Sequence, residues 1–193
     1  MKLTVLFLLL NFNLFGQGWT VQELDKANTC KNVKQLNVEE KKLVQYINLM
    51  RMYPQKYLRI ELPKYIESIS WSNPKDSYYY SLVDTLKKME PRKPLTFDSH
   101  MWELASCHVK DLYKRNEMSH DRKGCHYGWS AECISAGVYK GDEICGQLLH
   151  DRNVKSLGHR YILISWDYTK IGVSMMTSKD PDSFWVMTVL DFQ

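Results

Sequence analysis

Glycine and proline are scarce: nine and six in 193 residues. With no internal repeat visible, this excludes a collagen-like or low-complexity chain. Blocks of like charge are also missing. Lys and Arg number 26 against 22 Asp and Glu, a formal charge of +4. So mild an excess, without a basic cluster, does not favour nucleic-acid binding. No C-x-x-C pair occurs, which argues against a structural zinc site or a thioredoxin-like motif. There is no P-loop and no dinucleotide fingerprint. Gly128-Trp129-Ser130-Ala131-Glu132 misses the G-x-S-x-G nucleophile elbow at its last residue. What is present is 44% apolar and 25% charged residues. That balance suits one folded domain and excludes intrinsic disorder.

The N-terminus orders its residues by type. Met1-Lys2 carries a charge, residues 3–15 are almost wholly apolar, and Gly16-Gln17-Gly18 follows. This is the order of a secretory signal peptide, and the run is short of the ~20 residues that span a bilayer. The expected organisation is a signal peptide over 1–17, a loose polar extension over 18–36 and one domain over 37–193. No later run is long enough for a membrane helix, so the exported chain is expected to be secreted, extracellular or periplasmic. Export permits disulfides. The cysteines are Cys30, Cys107, Cys125, Cys133 and Cys145, an odd number that leaves at least one without a partner in the chain. Bridges are expected among the last four, with all three pairings open.

Periodicity predicts helices first and strands late. Asn37 caps a helix with Leu43, Val44, Ile47 and Met50 on one face, ended by Pro54. Residues 63–74 read as irregular. Asp76 caps a helix carrying Leu82, Leu86 and Met89. Asp98 or Ser99 caps a third, running to about Lys114, and Asp142 a short fourth with Ile144 and Leu148. Residues 171–176 and 184–190 are strand-like around the turn chemistry of 179–183, an antiparallel hairpin. Residues 129–134 form a candidate third strand. This order argues for the α+β class.

The polar chemistry is concentrated between residues 108 and 160, which hold every histidine except His100. Imidazole and carboxylate are suited to proton transfer near neutral pH and to metal binding. His108, on the apolar face of its helix three residues before Asp111, reads as a core histidine. His120 lies in a loop beside Ser119 and Asp121, as a solvated side chain or a site residue. Glu132 sits among Ala131, Cys133 and Ile134 in a stretch that reads as buried. Its carboxylate must therefore be hydrogen-bonded, paired or metal-bound. Asp151 ends the fourth helix, where the dipole disfavours a negative charge, so another group is expected to hold it. Arg160, after Gly158-His159, reads as structural. A cysteine nucleophile would need a free thiolate, and Cys107, Cys125, Cys133 and Cys145 are better bridge candidates.

Together these stretches resemble the CAP superfamily of cysteine-rich secretory, antigen 5 and pathogenesis-related 1 proteins, most closely its bacterial secreted members. Leu104-Ala105 with His108 and Asp111 is similar to its A-x-x-H-x-x-D run. Met118-Ser119-His120 is similar to its small-residue-then-His motif, and residues 156–160 to its S-x-G-H-R motif. Asn48-Leu49-Met50-Arg51 is similar to the N-x-x-R of its first helix, and Ile171-Gly172-Val173 to its closing hairpin. The chain departs from the family in having Ala131-Glu132-Cys133 for G-E-N, an Asp for the second acid, and Leu148 for a Trp. Residues 55–91 are longer and more tyrosine-rich than the family pattern, as an insert would be.

The resemblance implies a three-layer α-β-α sandwich with a small antiparallel sheet and a cleft formed by His120, Glu132, Asp151 and His159. Such a set could hold Zn or another divalent cation, with His120 and His159 as ligands beside the two carboxylates. The implied activity is that of a binding module for a small lipid or a protein or peptide partner. The alternative is a metal-assisted hydrolase with Glu132 as its base.

Overall fold

A computed structural model describes residues 18–126, 128, 131–178 and 186–193. The signal-like segment, the turn expected at 179–183, and the strand starts expected at 129–130 and 184–185 lie outside the described residues. Among those described, the chain forms seven α-helices, α1 (Val21–Ala27), α2 (Val38–Met52), α3 (Pro54–Ser68), α4 (Ser77–Lys88), α5 (Ser99–Arg115), α6 (Gly141–His150) and α7 (Gly158–Ile164). It also forms four strands, β1 (Thr96–Phe97), β2 (Ala131–Ala136), β3 (Lys170–Thr177) and β4 (Val186–Phe192). The class is α+β. No helix among the described residues is long and apolar enough to cross a membrane.

The helix starts follow local chemistry. Asn37 and Glu40 close a capping box on α2, Asp76 accepts from the Tyr79 amide at the start of α4, and Asp98 accepts from two amides of α5. Three local expectations are corrected. Pro54 does not merely end α2. It opens α3, because its fixed φ and missing N–H suit a first helical turn. The helix then runs through Pro63, held by the buried Tyr57, Leu62 and Ile66. Residues 18–36 are not loose: Thr20 and Glu23 form a capping box on α1, and Ala27, Cys30 and Leu36 are buried. Asp142 lies in the first turn of α6, whose cap is Lys140.

The sheet order is β1-β3-β4-β2. β3 and β4 form the expected antiparallel pair, and β2 adds antiparallel to β4. The sheet is mixed rather than wholly antiparallel, because β1 pairs parallel with β3. Asn48 holds β1 in place: its side-chain oxygen accepts from the Leu95 amide at 2.7 Å, and its Nδ2 donates to the Leu95 carbonyl at 3.0 Å. Arg51, three residues on, donates to the carbonyls of Leu163, Ser165, Tyr168 and Lys93.

The two faces of the sheet bury different cores. Ile134, Met187 and Val189 pack with Ala105, Val109 and Leu112 of α5. Cys133, Ile171, Val173, Leu190 and Phe192 pack with the remaining helices. The α5 backbone lies directly on β3 at Gly172, where a Cβ would come 2.0 Å from the Trp102 nitrogen and 2.1 Å from the Met101 carbonyl carbon.

One disulfide is present, Cys107–Cys125, tying α5 to the loop that follows it. The second bridge expected among Cys133 and Cys145 is not formed. The Cys145 sulfur accepts from the Tyr57 hydroxyl at 3.4 Å, while the Cys133 sulfur faces the His159 carbonyl, and both remain free thiols. Cys30, Cys133 and Cys145 are buried thiols. Thiol counting on the unfolded, unreduced chain is therefore expected to find three; one would mean that two of these are joined, and five would remove the bridge seen here.

Candidate functional site

The four side chains singled out from the sequence fall into two pairs flanking β2, the edge strand beside β4. The first pair is built by α5, the loop after it, β2 and β4. Glu132 is the second residue of β2, only 10% exposed. Its Oε2 accepts from His108 Nδ1 at 2.6 Å and from Arg122 Nη2, and its Oε1 accepts from His120 Nδ1 at 2.7 Å. The carboxylate is thus paired and hydrogen-bonded, one of the outcomes its burial demanded. Burial alone would raise its pKa. The bonds from His108 and His120 and the charge of Arg122 overcome that and hold it at about 2, against the usual 4.5. The same bond to Glu132 raises the His120 imidazole above its ordinary range.

The register of the sheet explains Arg122. Glu132 and Asp191 are directly opposite on β2 and β4, so their side chains leave the same face. Both are buried, and two facing carboxylates would repel. Arg122 Nη2 donates to both, reaching Asp191 Oδ1 at 2.5 Å. Even so, burial pushes the Asp191 carboxyl up, against the pull of Arg122. Arg122 and His120 ride on the loop that the Cys107–Cys125 bridge pins to α5, so the disulfide helps place both.

The second pair lies at the C-terminus of α6. Asp151 takes the left-handed conformation there, φ 52°, which a short polar side chain tolerates. It is 2% exposed, and accepts from His159 Nδ1 at 2.7 Å and the Arg160 amide at 3.2 Å. These are the partners its position against the helix dipole required. Arg160 itself is buried beside this pair. Its guanidinium donates to the carbonyls of Leu149, His150 and Tyr78, and to Ser81 Oγ. It thereby satisfies the end of α6.

A cleft of about 350 Å³ opens beside this second pair, with Tyr65, Ile134, Gln147, His150, Asp151 and His159 among its walls. Met118 also lines it, whereas His120 and Glu132 lie outside its lining. The two pairs share no hydrogen bond among the described residues. Nor, among those residues, is any group of three or more His, Cys, Asp or Glu placed to hold one metal ion. Each carboxylate already accepts from an imidazole Nδ1–H. Nε2 of His120 and Nε2 of His159 remain to meet a ligand or cation, and Nε2 of His108 and Nδ1 of His150 are buried without a hydrogen-bond partner among the described residues.

Three participants had not been assigned to the site from sequence. His108, read as core, is fully buried and also a direct partner of Glu132. Asp191 could have been found by the argument applied to Glu132, since it stands between the apolar Leu190 and Phe192. Arg122, in an ordinary polar loop, carried no signal. Neither Cys133 nor Cys145 is a plausible nucleophile: burial pushes the first thiol well up and the second to about 12.

Comparison of the chain with protein-family models, curated proteins and solved structures finds no match.

Proposed function

We propose that this chain is an exported CAP-type domain that binds a ligand in the cleft beside β2 and does not transform it. The observation that carries the reading is the cleft itself: about 350 Å³ of concave, partly apolar space with an oriented imidazole, His159, on its wall. That size is within the roughly 300–1,000 Å³ of small-ligand sites. The order of the motifs supports the family, as do α5 on one sheet face and the other helices on the opposite one, the layering of the α-β-α sandwich. A disulfide suits an oxidising compartment.

The hydrolase alternative is less well supported. A general base works best with a pKa near the working pH. Glu132, held at about 2 with both oxygens engaged, is a weak base. A divalent cation enters the proposal in a narrower form than the resemblance implied, at Nε2 of His120 or of His159 singly rather than on the two carboxylates. An imidazole whose other nitrogen donates to a carboxylate is oriented as metal-ligating histidines are.

The test is an NMR screen of small amphipathic fragments, fatty acids and sterols included, against the whole chain. Binders are expected to shift resonances of Ser135, Leu148 and His159, and His159→Ala is expected to weaken them by about tenfold. A screen without cleft binders would sink the reading. For the cation, Zn²⁺ titrated into the protein and into a His120→Ala/His159→Ala variant should give different isotherms; superimposable ones would remove metal from the proposal.

A further inference from the structure

The binding reading leaves the ligand's chemistry open, and the outer edge of β2, unpaired with another strand among the described residues, narrows it. In an antiparallel ladder, opposite pairs alternate between those that exchange hydrogen bonds and those that do not. The Gly137 amide donates to the Val186 carbonyl at 2.8 Å, which fixes the phase on the β2–β4 side. The Ser135–Thr188 and Cys133–Leu190 pairs are then hydrogen-bonded ones. On the far side of β4 the phase agrees: Lys170 and Gln193 exchange bonds at 2.8 and 3.1 Å, assigning the odd-numbered residues of β4 to β3. The amides and carbonyls of Glu132, Ile134 and Ala136 therefore point away from the sheet. Among the described residues β2 is an end strand in the order, and Ile134, Ser135 and Ala136 line the cleft in succession, Ile134 and Ser135 being buried apart from that opening.

One partner already uses this edge. The Gln147 side-chain amide, chemically a peptide group, donates from Nε2 to the Ala136 carbonyl at 3.3 Å. Its oxygen accepts from Ser135 Oγ at 2.5 Å. Next to it, the Ile134 N–H, the Ile134 C=O and the Ala136 N–H face the cleft side with the geometry a neighbouring strand would need. Apolar walls stand nearby: Ile69, Met118, Leu148 and Val154. Exposed sheet edges are normally covered, bulged or charged; this one is bordered by a cavity.

We infer that the cleft takes an extended peptide, which adds to β2 as a further strand. Its main chain pairs with Ile134 and Ala136, and alternate side chains enter the apolar walls. The inference rests on the cleft-binding reading above. It names the ligand as a peptide backbone rather than a lipid or sterol.

The test uses the whole chain and a library of N-acetylated, C-amidated hexapeptides with aliphatic residues at alternate positions. Binding is read by fluorescence polarisation of labelled hits. Each hit is then resynthesised with one backbone amide N-methylated at a time. Strand addition predicts a period of two: methylation at alternate amides weakens binding by about tenfold, and at the intervening ones only slightly. Hydrogen exchange of the Ile134 and Ala136 amides is expected to slow on saturation. Ala136→Pro, which removes an edge N–H that the sheet does not use, should abolish binding. If that variant does not fold, the methylation scan on the unaltered protein decides alone.

No binder in the library, a methylation profile without the two-residue period, or unchanged exchange at Ile134 would each overturn the inference. So would protection of those amides that depends on protein concentration without peptide, since a second copy would then occupy the edge. Fragments that bind near His159 while no peptide does would leave the cleft reading standing and this inference fallen. Failure of both screens would end both.

Discussion

Arg122→Ala is expected to destabilise the protein by about 3–5 kcal/mol, the usual cost of removing one partner from a buried ion pair. The side chains of Arg122, Glu132 and Asp191 are 4%, 10% and 0% exposed. Without the guanidinium, two carboxylates on adjacent strands face each other in a site shielded from water. His108 and His120 remain on Glu132, so the larger loss is at Asp191, whose burial is already unfavourable to its charge. Adding Asp191→Asn to the Arg122→Ala variant removes one of the facing charges and is expected to recover part of the stability. Urea denaturation of the three proteins checks this. A loss below about 1 kcal/mol for Arg122→Ala would show that the two carboxylates are relieved by other means.

The second large effect concerns acid. Glu132 has a folded-state pKa of about 2 against 4.5 in the unfolded chain. A depressed carboxylate contributes stability that is complete above its unfolded value and disappears as the pH falls through its folded one. The difference corresponds to about 3 kcal/mol, lost between pH 4.5 and about 2. Asp191 runs the other way: its raised pKa makes protonation of the folded form favourable, so stability is gained as the pH falls through its folded value and on to the unfolded 3.8. The expected profile is level or slightly rising on descent from neutrality, then steep below pH 4.5. Glu132→Gln should flatten that lower limb and return the His120 imidazole, followed by NMR titration, towards its ordinary range. The His120 contribution has the opposite sign to that of Glu132. It is complete below the usual 6.5 and lost as the pH rises through the raised value. An acid limb that keeps its slope in Glu132→Gln would refute the assignment.

Much of the site was legible because burial makes polar groups conspicuous. Glu132 stood out as a carboxylate in an apolar stretch, and the structure supplies His108, His120 and Arg122 around it. Asp151 stood out against a helix dipole, and His159 and the Arg160 amide hold it. The sequence could not indicate that these two carboxylates belong to separate pairs, because separation along the chain says nothing of which side of an edge strand a group occupies. Arg122 was invisible for a related reason. Its role exists only once β2 and β4 are in register and two negative charges meet. The cysteines show the same limit: four lie close in sequence, but Cys133 and Cys145 point at different neighbours and stay reduced.

The starts of α2, α4 and α5, the faces they bury and the residues of the late β3–β4 hairpin follow from caps and periodicity, interactions that span at most a few residues, whereas α1, α3 and α7 are held by packing that periodicity does not announce. Asn37, Asp76 and Asp98 act on amides within three positions, so no tertiary information is needed to read them. The pairing of Glu132 with Asp191, the parallel addition of β1 and the unused amides along β2 depend on strand register. Register joins segments far apart in the chain, Ala131 with Phe192 and Thr96 with Lys170, and is set by packing two cores on opposite faces of one sheet.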